Sequence, residues 1–187
     1  MKNALILLAG GDGKRLGSNI PKQFLKIGNT NFIEYFLLNL DSKIFDIIVI
    51  VVKKKEKDKY LKSLKEKFIN NNLKFTNAGK TRQNSSKKAL YYLKRHNPNN
   101  VLIHDSARPL VTNLLIKKII KKLDKYSSCI PYIYHNDLIK LKNNIEIKNN
   151  EVMNIQTPQG FHYKKIYQAH KINQDDNMKD DSSLYKN

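Results

Sequence analysis

The chain has 187 residues, a hydrophobic share of 40%, a formal charge of +19 and one cysteine. That length suits a single α/β domain with a full core, and no apolar run is long enough to span a membrane. Only four of the 35 basic residues are Arg, and the lysines are spread over 53–67 and 117–125 instead of being interleaved with aromatics on one surface, so the charge reads as solvated helix faces and argues against a nucleic-acid groove.

In chain order, Asn3–Ala9 predicts a buried strand. Lys2 alone precedes it, and the charged Asp12, Lys14 and Arg15 follow at once, which excludes a signal peptide. Asn31–Asp41 predicts a helix. Asp46–Lys53 is a continuous apolar run and a second buried strand. Glu56–Ile69 predicts an amphipathic helix with Tyr60, Leu61, Leu64 and Phe68 at helical spacing. A short strand follows at Lys74–Asn77, and then a helix over Thr81–Arg95 with its cap near Thr81. Val101–His104 predicts a fourth strand, Thr112–Tyr126 a helix capped by Thr112 or Asn113, and Cys129–Tyr134 a fifth strand. Alternating strands and helices imply a parallel sheet with right-handed crossovers. After His135 the chain turns polar and Asn-rich, so 136–154 predicts a protruding hairpin. Tyr163–His170 predicts a further helix, and another begins near Asp181. The lone Cys129 excludes an internal disulfide and a cysteine-based metal cage, and a reducing cytoplasm is the expected compartment.

Five segments carry the chemistry. The first is Leu8-Ala9-Gly10-Gly11-Asp12-Gly13-Lys14-Arg15, followed by Pro21-Lys22-Gln23. Closely spaced glycines at a strand end let the backbone turn and aim N–H groups at a phosphate, while Lys14, Arg15 and Lys22 supply charge. The spacing is neither a dinucleotide fingerprint nor a Walker loop. The second is Ala78-Gly79-Lys80-Thr81-Arg82-Gln83-Asn84-Ser85, where a helix begins with hydroxyl and amide side chains suited to a base edge or a ribose. An ordinary capped helix start has the same composition. The third is His104-Asp105-Ser106-Ala107-Arg108-Pro109, at the strand edge where open α/β sheets bind ligands. Here Asp105 is a candidate Mg²⁺ contact, Arg108 a candidate phosphate clamp, and His104 a residue that packs or orients Asp105. The fourth is Gln156-Thr157-Pro158-Gln159 and the fifth Asp180-Asp181-Ser182-Ser183; alone, these read as a turn and a helix cap. Arg15, Arg82 and Arg108 fall inside these segments and Arg95 does not, as expected where planar bidentate donors meet phosphate.

Together and in this order, the segments resemble the 2-C-methyl-D-erythritol 4-phosphate cytidylyltransferases of the non-mevalonate isoprenoid pathway. The related ribitol 5-phosphate cytidylyltransferases share most of the pattern. The resemblance covers essentially the whole chain and implies a Rossmann-like α/β nucleotidyltransferase fold: a mostly parallel sheet flanked by helices, with a dimerisation arm near 136–154. It implies CTP and Mg²⁺, pyrophosphate as product, and a homodimer acting in the cytoplasm. By position, Ala9, Gly10, Gly11, Gly13, Arg15 and Lys22 would hold the triphosphate, with Arg15 and Lys22 as the catalytic cations. Gly79, Lys80, Ser85, Asp105 and Ser106 would surround the cytidine and the metal, with Asp105 the metal ligand. Arg108, Lys148 and Thr157 would meet the sugar phosphate.

The departures concern the acceptor. The family's Asp-Thr pair after the fifth strand is Asp137-Leu138 here. An expected Arg upstream of Gln156 falls on Asn149, with Lys148 beside it, and the Thr before the acidic pair is Lys179. The family's C-terminal strand has no counterpart before Asn187, so one nucleotidyltransferase domain is expected over 1–187, either as a fragment or as part of a protein that continues, for instance into a fused second enzyme of the same pathway. The Asp-Asp-Ser-Ser-Leu segment favours methylerythritol phosphate as acceptor, whereas Ala-Gly-Gly in place of Ala-Ala-Gly leans toward ribitol phosphate. A non-catalytic nucleotide- or nucleic-acid-binding protein is the alternative from a different class.

Overall fold

The computed structural model describes residues 2–11, 21–69, 72–134, 137–173, 175, 178 and 180–184. The expectations for Gly13, Lys14, Arg15, His135 and Lys179 lie outside the described residues. The elements in chain order are β1 (Asn3–Ala9), β2 (Lys26–Ile27), β3 (Thr30–Asn31), α1 (Phe32–Asn39), β4 (Ile47–Val52), α2 (Lys54–Lys67) and β5 (Leu73–Asn77). They continue with α3 (Arg82–Leu93), β6 (Asn100–Asp105), α4 (Asn113–Lys122), β7 (Ser128–Cys129), β8 (Tyr132–Tyr134), β9 (Ile139–Lys140) and β10 (Glu146–Ile147). The last are β11 (Met153–Ile155), β12 (Gln159–His162) and α5 (Tyr163–Ile172).

The long apolar runs become the centre of a six-stranded sheet in the order β5-β4-β1-β6-β12-β7. The first four strands are mutually parallel. All six residues of β4 are buried, as covering both faces of a parallel sheet requires. Alternate residues of β1 serve opposite layers: Leu5 and Leu7 pack with Phe36, Leu37 and Leu102, while Ala4 and Ile6 pack with Ala89, Leu90 and Phe161. In the first layer Tyr60 stacks flat on Phe24 at 3.8 Å between ring centroids.

Local chemistry sets the helix starts. Asn31 and Glu34 form a reciprocal capping box on α1, Thr81 accepts from the Asn84 N–H, and Thr112 accepts from the Leu115 N–H. Of the two caps expected for α4, Thr112 is the one used.

Three expectations change. The single fifth strand over Cys129–Tyr134 is two strands in different sheets: β7 lies at the edge of the main sheet and β8 pairs with β11. Pro131 stands between them and has no N–H for a ladder, while its carbonyl accepts from the Gln156 N–H at 2.8 Å. The Gln156–Gln159 segment is no mere turn, because it leads into β12, which inserts antiparallel between β6 and β7. A Cβ on Gly160 would lie 2.4 Å from Ile119 Cγ2, so its lack of a side chain lets α4 lie directly on this strand. The helix expected at Asp181 is a short 3-10 turn, Ser182–Leu184, capped by Asp180, whose Oδ1 accepts from Ser182 Oγ and from the Ser183 N–H.

The hairpin expected over 136–154 is present as β9 and β10, carried on the β8–β11 ribbon. Every residue of β8 and β11 is exposed.

Candidate active site

The described site residues gather where β1, β5 and β6 end, at the carboxyl edge of the parallel strands. Leu8 lies opposite Asp105 in the β1–β6 register. Ser106 locks this junction, since its N–H and its hydroxyl both donate to the Leu8 carbonyl, at 3.0 and 2.8 Å. Ser106 is buried, so its side chain holds two strand ends together.

Ala9, Gly10 and Gly11 follow at the end of β1. Gln23 clasps this turn from the other side, its amide donating to the Ala9 carbonyl at 2.6 Å and the Gly11 carbonyl at 3.2 Å. Lys22 and Gln23 open a 3-10 turn, Lys22–Phe24, so the lysine is tied to the glycine turn through its neighbour. A Cβ on Gly10 would meet Ala78 Cβ at 2.5 Å, and one on Gly79 would meet Asn84 Cβ at 2.4 Å. The Gly10 turn therefore approaches Ala78, and the Gly79 turn approaches the start of α3, more closely than residues with side chains allow.

The hydroxyl and amide groups at the start of α3 are largely engaged within the loop. Ser85 Oγ accepts from the Gly79 N–H at 3.0 Å and donates to the Thr81 carbonyl at 2.9 Å. Lys80 is exposed beside this turn. What the structure shows of this segment is the capped helix start.

At the end of β6, Asp105 is clamped from two sides. Its Oδ1 accepts from Arg82 Nε at 3.2 Å, and its Oδ2 lies 3.6 Å from Arg108 Nε. Arg108 also donates to Gln156 Oε1. His104 is fully buried and joins this loop to the turn before β12: Nδ1 meets Thr157 Oγ1 at 2.9 Å and Nε2 meets the Arg108 carbonyl at 3.0 Å. Thr157 Oγ1 also accepts from the Asp105 N–H at 3.3 Å. A carbonyl only accepts, so Nε2 carries the ring proton, and the Thr157 hydroxyl donates to Nδ1. Burial pushes His104 down to about 4, against the opposing pull of the Asp105 charge, so the ring stays neutral. His104 therefore positions the main chain on either side of Asp105, not its carboxylate.

Behind Arg82 lies a buried group that the sequence reading places only in a helix cap. Asp181 is fully buried; its Oδ2 accepts from Arg82 Nη1 at 2.6 Å and Ser86 Oγ at 3.2 Å, and its Oδ1 from His170 Nε2 at 2.9 Å. Burial alone would push the carboxyl up, but the His170 hydrogen bond and the Arg82 guanidinium hold it below its ordinary value. Burial likewise opposes the Arg82 charge, and Asp181 and Asp105 together hold it above the ordinary value. The local signals were Arg82, an arginine inside a motif of a lysine-rich chain, and the Asp180–Ser183 segment that carries Asp181.

Mg²⁺ takes oxygen ligands and is commonly held by one or two carboxylates together with substrate phosphates. Asp105, partly exposed at the strand edge, fits such a shared ion. Among the described residues no three acidic, His or Cys side chains converge as a protein-only cage would require. Lys148 lies exposed in the arm, and among the described residues no side-chain hydrogen bond ties it to the cluster.

The family model for 2-C-methyl-D-erythritol 4-phosphate cytidylyltransferase matches residues 3–187. A relative of that name from Clostridium tetani is 36% identical over 98% of this chain and 77% of its own length. Another, from Thermotoga neapolitana, is 37% identical over 90% of this chain and 76% of its own. The crystal structure of 4-diphosphocytidyl-2C-methyl-D-erythritol synthase from Anaerococcus prevotii superposes with a TM-score of 0.83 at 26% identity, covering 98% of this chain and 82% of that one.

Proposed function

The chain belongs to the 2-C-methyl-D-erythritol 4-phosphate cytidylyltransferase family, and from that membership we infer its reaction. It is a nucleotidyltransferase that transfers CMP from CTP to 2-C-methyl-D-erythritol 4-phosphate and releases pyrophosphate, in isoprenoid precursor biosynthesis. The observation that carries the reading is the close approach of the Gly10 turn to Ala78 and of the Gly79 turn to the start of α3, beside the Asp105 clamp, at the ligand-binding edge of the sheet.

In the proposed mechanism, Ala9, Gly10, Gly11 and Gly13 offer backbone N–H groups to the triphosphate. Gly79, Lys80 and Ser85 frame the cytidine. Arg108, Lys148 and Thr157 serve the acceptor, with Thr157 acting through the frame it shares with His104 and Asp105. A phosphate oxygen of the acceptor attacks the α-phosphorus in line. The new O–P bond forms as the bond to the β-phosphate oxygen breaks, and that electron pair leaves with pyrophosphate. Arg15 and Lys22 stabilise the charge spreading over the phosphates, so the work is positioning and electrostatics with no covalent intermediate. Asp105 would hold a Mg²⁺ ion, which would neutralise part of the same charge. Ser106 holds the β1 and β6 ends in register.

A cytoplasmic site of action is supported by the single free thiol of Cys129. One nucleotidyltransferase domain over 1–187 is supported by the single six-stranded sheet, which runs from β1 to β12. A homodimer is supported by the arm. A two-stranded ribbon is marginal alone in water, and this one exposes Ile133, Tyr134, Met153 and Ile155, with Leu138 and Ile145 beyond. A second copy of the chain would cover that surface.

Pyrophosphate release measured with each nucleoside triphosphate and with both sugar phosphates tests the reaction. Release with CTP and methylerythritol phosphate is expected; none with CTP and either acceptor would refute it. Lys22→Ala should abolish turnover with the circular dichroism spectrum unchanged, and near-normal activity would remove Lys22 from its role.

A further inference from the structure

Asp105 stands partly exposed at the carboxyl end of β6, and its geometry depends on a guanidinium that does not stand free. Arg82 spends Nε on Asp105 at 3.2 Å and Nη1 on Asp181 at 2.6 Å, so one rigid fork links two carboxylates. The Asp105 side chain is 30% exposed and that of Asp181 is 0% exposed. The fork thus runs from the site into the interior. On its inner side Asp181 is held by His170 from α5 and by Ser86 from α3. Because the carboxylate only accepts, His170 Nε2 carries the proton it donates. Asp181 is joined to this frame from the chain segment after α5, whose Met178 N–H donates to Gln83 Oε1 at 3.1 Å.

We propose that Asp181, seated by His170, is a positioning residue for the cytidylyl transfer: it sets the angle at which Arg82 presents Nε to Asp105. Two observations favour aim over simple stabilisation. Arg82 Nη2 is buried with no hydrogen-bond partner among the described residues, a loss that a purely structural ion pair has no reason to carry. In addition, the two oxygens of Asp105 are divided between Arg82 and Arg108, so rotating either guanidinium turns the carboxylate. Removing the Asp181 charge releases the inner half of the fork, and Arg82 is then free to swing toward Asp105 or the incoming phosphates. The inference rests on the assigned reaction for its kinetic readout only.

Asp181→Asn keeps the shape and removes the charge. The expected result is a cooperatively folded protein whose kcat/KM for CTP falls about tenfold or more, because Asp105 serves the nucleotide and metal side of the site. Combining Asp181→Asn with Arg82→Gln should cost no more than the worse single change, since both act through one contact. His170→Ala should lower kcat, and His170→Gln, which keeps an N–H donor for Asp181, should restore most of it; this pair decides the matter if Asp181→Asn does not fold. The Arg82 Nε–H proton should exchange slowly in wild type and its resonance should be lost in these damaging variants, which reports on the fork without turnover. The proposal is overturned by a folded Asp181→Asn with wild-type kcat/KM and an intact Arg82 resonance, by multiplicative losses in the double variant, or by a fully active His170→Ala. A wild-type chain that turned over no CTP would refute the assigned reaction, and the Arg82 resonance would still decide this inference.

Discussion

Lowering the pH should loosen the joint that His104 makes between β6 and the turn before β12. The ring is fully buried and neutral, with Nε2–H donated to the Arg108 carbonyl and Nδ1 accepting from Thr157. A charged ring would lose the second bond and sit desolvated. Its folded value is about 4 against an ordinary 6.5. Between those two values the unfolded chain binds a proton that the folded chain refuses. The contribution of His104 is therefore complete above about pH 6.5 and is lost as the pH falls toward 4. At about 1.4 kcal/mol per unit, that gap of about 2.5 units amounts to roughly 3 kcal/mol in all, of which about 2 kcal/mol falls between pH 7 and pH 5. Asp181 does not interfere, because a carboxyl held below its ordinary 3.8 gives up its contribution only below that pH. Urea unfolding at pH 7, 6 and 5 measures the slope in wild type and in His104→Gln, which offers the Arg108 carbonyl a donor but does not titrate. Wild type should lose about 2 kcal/mol more than the variant over that range. Parallel slopes would refute the neutral, doubly bonded ring.

Two further outcomes test other parts of the structure. Gly79→Ala places a Cβ 2.4 Å from Asn84 Cβ and 2.7 Å from the Asn84 carbonyl carbon, neither of which can yield without moving the start of α3. KM for CTP should rise about tenfold or more and the melting temperature should fall, whereas unchanged values would mean that the Gly79 turn is not packed rigidly on the start of α3. Ile133→Asp sets a charge on the exposed apolar face of β8. Sedimentation should show a dimer for wild type and a monomer for the variant with unchanged helix content; a wild-type monomer would remove the arm from its proposed role.

Much of the fold was legible in the sequence because its signals are local. The continuous apolar runs of β1 and β4 follow from burial on both faces, and Thr81 and Thr112 act as caps within their own first turns. The glycine turn and the His104–Pro109 segment were legible for the same reason, since each is a strand end whose residue types state their chemistry. Pairings across the chain were not. Pro131 splits a run that looks like one strand, and β12 enters the sheet antiparallel although only four residues mark it. Asp181 reads locally as part of a helix cap, and Asp180 does the capping. Asp181 instead turns inward to an arginine 99 residues earlier, where His170 and Ser86 also converge. The sequence by itself determined the long buried strands and where the main helices begin, since propensity, capping and periodicity act over a few residues. The partner of each buried charge was decided only by the tertiary structure, because a desolvated carboxylate takes whatever donors the packing of distant elements brings to it.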